Sequence, residues 1–401
     1  MANDKKTTGA ASQIGAANQS RARAYNERLV LSLIRRRDKM SKSEIAKRTG
    51  LSAQAVSVII NSLEEDQLLM RGEPVRGKVG QPSIPMSIDP EGAFSIGLKI
   101  GRRSAELVLL DFVGQQKMRM EQRYAYPITS DVLDFAVDGV ARIKQSLSPR
   151  NRKRISGIGI SVPFELWSWT DNIGAPAKKM HEWKELDLSG YLSQKCKLPA
   201  FSQNDATAAC GAELVFGRGG KLNDFIYFFI GTFIGGGIVL NRAVFTGQSG
   251  NAGAVGSMPV VGKNNAVSQL IDHASVFTLE KTLRKHKRDP SALWLSPDDW
   301  SQYDDVLQTW ISSTAEHLAM AIVSSCSVID FSAVVVDGSF PAEVRSKIVS
   351  ETQTELDKHN LQGITIPSLL EGQLGASARA VGAACLRLYS RYLLDHNVLF
   401  K

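Results

Sequence analysis

Two short stretches carry residue types and spacings with chemistry open to them. The first is Gly-Thr-Phe-Ile-Gly-Gly-Gly at 231–237, between apolar runs at 224–230 and 238–240. Glycines at a strand–turn–strand junction let backbone amides close on an anion, so Gly231, Thr232, Gly235 and Gly236 form a candidate phosphate loop. The loop lacks the Lys-Ser/Thr of a Walker motif and is not a dinucleotide fingerprint. A tight hairpin that holds no ligand accounts for it as well. The second stretch is 52–63, where Val56, Ile59, Ile60 and Leu63 recur at helical spacing. That stripe leaves Gln54, Ala55, Ser57 and Asn61 on or near the opposite side. Small and amide side chains near a helix N-terminus suit entry into a DNA major groove and reading of base edges.

The flanking residues supply what such a helix needs to be positioned. An apolar face of Leu29, Val30, Leu33 and Ile34 predicts a first helix from Tyr25, with Arg35–Arg37 at its C-terminal end. Ser41 or Ser43 caps a second helix that turns Ile45 and Ala46 inward. Gly50 makes the turn, Leu51 fills the space between helices, and Ser52 caps the reading helix. Strands are expected at 68–70 and 83–88. Between them Arg71, Arg76 and Lys78 interleave with Gly72, Gly77 and Gly80. This is the pattern of a winged helix-turn-helix, with Arg76 and Lys78 directed at the DNA backbone or minor groove. A small helical packing module with an incidental hairpin is the competing reading. Charge favours DNA: residues 1–90 hold fifteen Lys and Arg against nine Asp and Glu, while the rest of the chain is nearly balanced.

The remaining residues read as an α/β body. Strands are expected at 94–100, 105–112, 155–162, 224–230, 238–240, 328–338 and 363–367. Helices are expected at 132–143, 206–216, 273–283, 310–324, 342–358 and 376–393. Gly turns after strands recur in two halves, which suggests two lobes around a cleft. Asp205 stands where it could cap the helix at 206–216. Cys196, Cys210, Cys326 and Cys385 are far apart, with no C-x-x-C, so no zinc site and no other metal or cofactor is expected. The apolar run 225–240 is too short and too glycine-broken to span a membrane. A cytoplasmic location is the expectation.

Taken together, the motifs resemble the ROK family of repressors, open reading frames and sugar kinases, and within it the transcriptional regulators. The resemblance covers about residues 25–395. It rests on Ile-Gly-Leu-Lys-Ile-Gly at 96–101, Gln-Asn-Asp-Ala at 203–206, the loop at 231–237 and Gly-Gln-Ser-Gly-Asn-Ala-Gly-Ala-Val-Gly at 247–256. It implies a two-lobed ribonuclease H-like fold of the actin and hexokinase kind. The expected organisation is a flexible tail at 1–24, a DNA-binding domain at 25–90 and a ROK domain at 91–401. In the last, lobe one is about 91–205 plus the closing helix at 376–393, and lobe two is about 206–375.

By the same resemblance, Asp205 occupies the place of the kinases' catalytic base and Asn204 that of a sugar-binding neighbour. The kinase Asp at the first strand is replaced by Lys99, followed by Arg102 and Arg103. Phe233 stands for a phosphate-loop glycine, Ala254 for a sugar-contacting Glu and Ser257 for a His that binds sugar and zinc. The wing has Gly80-Gln81-Pro82 for the usual Gly-Arg-Pro. These departures disfavour phosphoryl transfer, which needs metal, phosphate cradle and aligned hydroxyl together. The expected function is a DNA-binding transcriptional regulator, a repressor of sugar uptake or catabolism genes. Its partners would be a double-stranded operator and a sugar or sugar-phosphate effector held by Asn204, Asp205 and Asn251. It would act as a homodimer or a dimer of dimers, without a membrane. Trp167, Trp169 and Trp183 offer a face for a sugar ring, though buried packing is the commoner fate of such residues. An ATP-dependent sugar kinase and a regulator with a vestigial pocket are the alternatives.

Overall fold

The computed structural model describes residues 5–75, 83–168, 175–262 and 265–394. The chain enters helix α1 (Lys5–Arg37) at Lys5, inside the stretch expected to be a flexible tail. Ala10, Ala11, Ala16 and Ala17, with Gln13 and Gln19, give that stretch high helix propensity and no proline to stop it. Helix α2 (Lys42–Thr49) starts in a capping box: the Ser41 hydroxyl accepts from the Glu44 amide, and the Glu44 carboxylate accepts from the Ser41 amide. Gly50 closes it at φ 72°, a conformation that glycine adopts without a Cβ clash. Helix α3 (Ala53–Glu65) is capped by Ser52, whose hydroxyl accepts from the Ala55 amide at 3.1 Å. Its Val56, Ile59, Ile60 and Leu63 are buried, each stabilising the head by roughly 1.5–3 kcal/mol. Strands β1 (Leu69–Arg71) and β2 (Met86–Ile88) pair antiparallel, and Val75 bridges to Ser83.

The body contains two five-stranded sheets of the same design. The first is built from β3 (Phe94–Ile100), β4 (Ser104–Asp111), β5 (Gln116–Arg123), β6 (Ile155–Val162) and β7 (Ala200–Asn204), in the order β5-β4-β3-β6-β7. The second is built from β8 (Phe225–Ile230), β9 (Ile234–Leu240), β10 (Ala243–Phe245), β13 (Ala333–Gly338) and β14 (Ser368–Glu371), in the order β10-β9-β8-β13-β14. Each runs three consecutive antiparallel strands and then adds two parallel ones beside the first. This repeated topology is the two-lobed ribonuclease H-like arrangement. A small hairpin, β11 (Pro259–Val261) and β12 (Val267–Gln269), lies outside both sheets.

Helices α4 (Thr129–Ser146), α5 (Ala177–Glu185) and α6 (Leu188–Cys196) cover the first sheet, and α8 (Val276–Lys285), α9 (Asp304–Cys326) and α10 (Ala342–Leu356) the second. Between the sheets lie α7 (Asp205–Phe216) and α11 (Ala378–Tyr392), packed on each other. Small residues permit this layer. A Cβ on Gly159 would come within 1.6 Å of the Ala383 carbonyl, and one on Gly97 within 2.2 Å of the Ala380 carbonyl. A Cβ on Gly382 would meet the Ala208 carbonyl at 2.1 Å. The head's core is continuous with the body: Phe112, Leu388 and Tyr392 pack with Val30, Leu31 and Ile34 of α1. Among the described residues no helix is long and apolar enough to cross a membrane.

The structure corrects three strand expectations. Gly235 and Gly236 lie within β9, paired with Phe229 and Phe228, so the turn proper is shorter than the glycine run implies. The run 363–367 is not a strand: Gly363 turns at φ 84°, Pro367 has no amide for a ladder, and β14 begins at Ser368. The segment at 328–332 is a turn after α9, and its Val328 is exposed.

Candidate functional site

On the head, α3 leaves Gln54 and Asn61 exposed, with Ala55 and Ser57 half-buried at the margin of the stripe. Ser52 is exposed but its hydroxyl is already engaged as the cap. Asn61 accepts from the Lys42 ammonium at 3.2 Å, which brings a cation from α2 onto the exposed face of α3. Lys42 was not picked out by sequence, because the i to i+19 contact exists only once the two helices pack. Arg76 and Lys78, with Gly80-Gln81-Pro82, fall outside the described residues. Arg71 is held on the head by Glu64.

In the body, a cleft of about 160 Å³ opens where the lobes meet. Asn204, Asp205 and Asn251 line it together with Thr232, Gly235 and Gly236. Gly231 sits beside it, in the turn that closes β8. Asn204, not Asp205, is the N-cap of α7: its side-chain oxygen accepts from the Ala206 and Thr207 amides at 3.0 and 3.1 Å. Asp205 is the first helical residue. Its carboxylate accepts from the Ala206 amide and lies 3.3 Å from the Arg379 guanidinium. Arg379, on the first turn of α11, also donates to the Ser339 hydroxyl at 3.2 Å and stacks over Phe229. Its role was illegible in sequence, since the contact with Asp205 spans 174 residues.

The candidate phosphate loop is tied down, and Phe233 stands within it. The Gly231 and Thr232 carbonyls accept from the Val276 and Phe277 amides at the start of α8, and the Ile234 amide donates to the Ser275 hydroxyl. Phe233 packs on Phe277 with ring centroids 5.3 Å apart, and the Arg102 guanidinium lies 4.6 Å above the same ring. Lys99 is buried on β3 and donates to the Ser104 hydroxyl at 2.7 Å. Burial, and then the charge of Arg379, push its ammonium down to about 7. Burial likewise brings Arg102 down to about 10. Ala254 and Ser257 line the cleft without a carboxylate or imidazole. Among the described residues no group of three or more His, Cys, Asp or Glu side chains converges.

A second hollow joins the first at Asn204 and Phe164. It is lined by Trp167 and Trp183. The Trp183 side chain is buried and its indole donates to the Pro127 carbonyl, which is the packing fate rather than the stacking one. Trp169 lies outside the described residues.

Comparison with known proteins places these observations among relatives. A model of the ROK family matches residues 95–389, and a model of the MarR family matches residues 24–78. The xylose repressor of Bacillus spizizenii is 27% identical over 249 residues, 61% of this chain and 62% of that protein. The DNA-binding transcriptional dual regulator NagC of Escherichia coli is 25% identical over 63% of this chain and 61% of its own length. The chain therefore spans about three fifths of the curated relatives it matches. The crystal structure of a ROK family transcriptional regulator superposes with a TM-score of 0.66 at 19% identity, over 92% of this chain and 98% of that one.

Proposed function

The chain belongs to the ROK family, and from that premise we propose that it is a DNA-binding transcriptional repressor of sugar genes, controlled by a small effector bound in the interlobe cleft. The observation that carries this reading is the capped helix-turn-helix whose α3 leaves Gln54 and Asn61 open to solvent while its other face is fully packed. The chain's similarity to a xylose repressor and to the transcriptional regulator NagC supports the same reading. Two copies would present two such helices to the half-sites of a palindromic operator, so the working unit is a homodimer or a dimer of dimers.

The body supports control rather than catalysis. A catalytic base must have its carboxylate free to take a proton from a hydroxyl. Asp205 is instead shared with Arg379, and Phe233 with Arg102 occupies the mouth of the phosphate loop. Asn204 keeps its amide nitrogen for a ligand hydroxyl, since only its oxygen is used in the cap. Helix α11 then links the two functions. It starts at Arg379 in the cleft and ends at Leu388 and Tyr392 in the head's core. An effector that binds Arg379 differently in two positions of α11 biases the head between two orientations.

The test is binding of the purified chain to DNA from its own upstream region against random DNA, over a salt series. Salt-sensitive preference for one site is expected. Equal affinity for both DNAs would refute the reading. The kinase alternative is checked by ATP turnover across a sugar panel; turnover that disappears in Asp205→Asn would restore it.

A further inference from the structure

Another hollow adjoins the cleft and shares Arg102, Thr232 and Arg379 with it. Lys99, Arg102 and Arg379 line it from β3, the β3–β4 turn and α11, with Glu106 and Glu121 also on its wall, and Asp205 forms an ion pair with Arg379. The other basic side chains on this wall are already matched: Arg103 with Glu280 at 3.5 Å, Arg119 with Glu106 at 2.8 Å and Arg123 with Glu121 at 3.0 Å. Arg102 is different. Among the described residues it makes no hydrogen bond or ion pair, and its Nε is buried without a partner, as are those of Arg103 and Arg379. Its guanidinium, half-buried, lies over the face of Phe233. The Asp205 charge acts on Arg102 as well but is already paired with Arg379, so two guanidiniums share one negative charge, and an anion bound between them offsets the excess.

The geometry around Arg102 suits a ligand. The Arg102 guanidinium carbon lies 4.6 Å from the Phe233 ring centroid, and a guanidinium fork can give a phosphate or carboxylate two parallel hydrogen bonds. Arg102 and Arg379 line the same cleft as Asn204 and Asn251, so an anionic group and hydroxyls on one small molecule can be met together.

We propose that Arg102 and Arg379 form an anion-binding site, and that the effector is a polyhydroxylated molecule bearing a phosphate or carboxylate, not a neutral sugar. This rests on the effector-controlled reading given above. Lys99 lines the adjoining hollow, where its ammonium donates to the Ser104 hydroxyl.

The test uses the full chain and inorganic phosphate as probe. Melting temperature is followed against phosphate at constant ionic strength, for the parent, Arg102→Met and Arg102→Lys. Because phosphate also stabilises proteins by exclusion from their surface, the comparison among variants is the readout. Saturable stabilisation is expected in the parent, at least about tenfold weaker in Arg102→Met and intermediate in Arg102→Lys. Glucose 6-phosphate and glucuronate then compete against phosphate, and the tighter competitor identifies the anionic group; glucose does not compete. Equal response of parent and Arg102→Met, or no saturable response in the parent, overturns the proposal. Operator binding is measured on the same samples. Specific DNA binding without a phosphate response sinks the anion site alone; absence of specific DNA binding sinks the regulator reading whatever phosphate does.

Discussion

Lys99 shows what a single buried charge does to this fold. Its ammonium titrates near 7 in the folded chain against 10.5 when unperturbed. Between those values the unfolded chain binds more protons, so this residue makes stability rise with pH from about 7 to about 10. Lys99→Met is therefore expected to be more stable than the parent at and below pH 7, with the gain shrinking to nothing above pH 10. Urea unfolding across pH measures it; a constant difference at all pH values would contradict the assignment. On the reading helix, Gln54→Ala and Asn61→Ala are each expected to weaken operator binding by about 1–3 kcal/mol while leaving random-DNA binding nearly unchanged, measured by fluorescence anisotropy. Residues with local roles were legible from sequence. Ser52 and Gly50 act on amides or angles a few positions away, and their types announce those roles; the cap of α7 was expected one residue late, at Asp205, because Asn204 and Asp205 are both cap-forming types side by side. Arg379 and Lys42 act across the fold, and nothing in their neighbourhoods marks them.

Elements were legible in proportion to their burial. Strand β6 is buried along nearly its whole length and was bounded correctly at Ile155–Val162. Strand β5, Gln-Lys-Met-Arg-Met-Glu-Gln-Arg, was missed because it is an edge strand whose alternate residues face water. Its charges protect the edge and also erase the apolar signal. The layer of α7 and α11 makes a sharp prediction. Gly159→Ala is expected to destabilise the chain by about 1–3 kcal/mol or more, since backbone on both sides prevents relief. Gly220→Ala, whose Cβ would find only an ordinary contact at 3.8 Å, should fall within about 0.5 kcal/mol of the parent. Chemical denaturation of the two variants side by side checks the contrast.

At the scale of the whole molecule, the head is built into the body rather than tethered to it. The Tyr392 ring packs tilted against Phe112 with centroids 5.0 Å apart, the Ser32 hydroxyl accepts from the Leu394 amide, and Arg35 donates to the Phe112 carbonyl. Helix α11 runs from Arg379 at the cleft to Leu388 and Tyr392 in the head's core, the route along which the proposed effector would act. Coupling between effector and operator sites is typically about 1–3 kcal/mol. Tyr392→Ala is expected to reduce it while leaving each ligand's separate affinity close to the parent's, as read from operator titrations with and without effector. The two-lobed plan was legible because glycine turns after strands repeat in both halves. The head-to-body seam was not, because Phe112, Leu388 and Tyr392 look like ordinary core residues of the elements that carry them.

The four cysteines, finally, give the molecule a chemical clock. All are buried. Cys385 of α11 packs against Val108 and Leu110 of the first sheet, and Cys210 of α7 lies against Gly237 of the second. Burial pushes the Cys385 thiol up to about 12 and raises that of Cys210 further, so neither is a competent nucleophile in the closed molecule. A thiol reagent can reach them only when the central layer parts, and its reaction rate counts those partings in the unmodified chain.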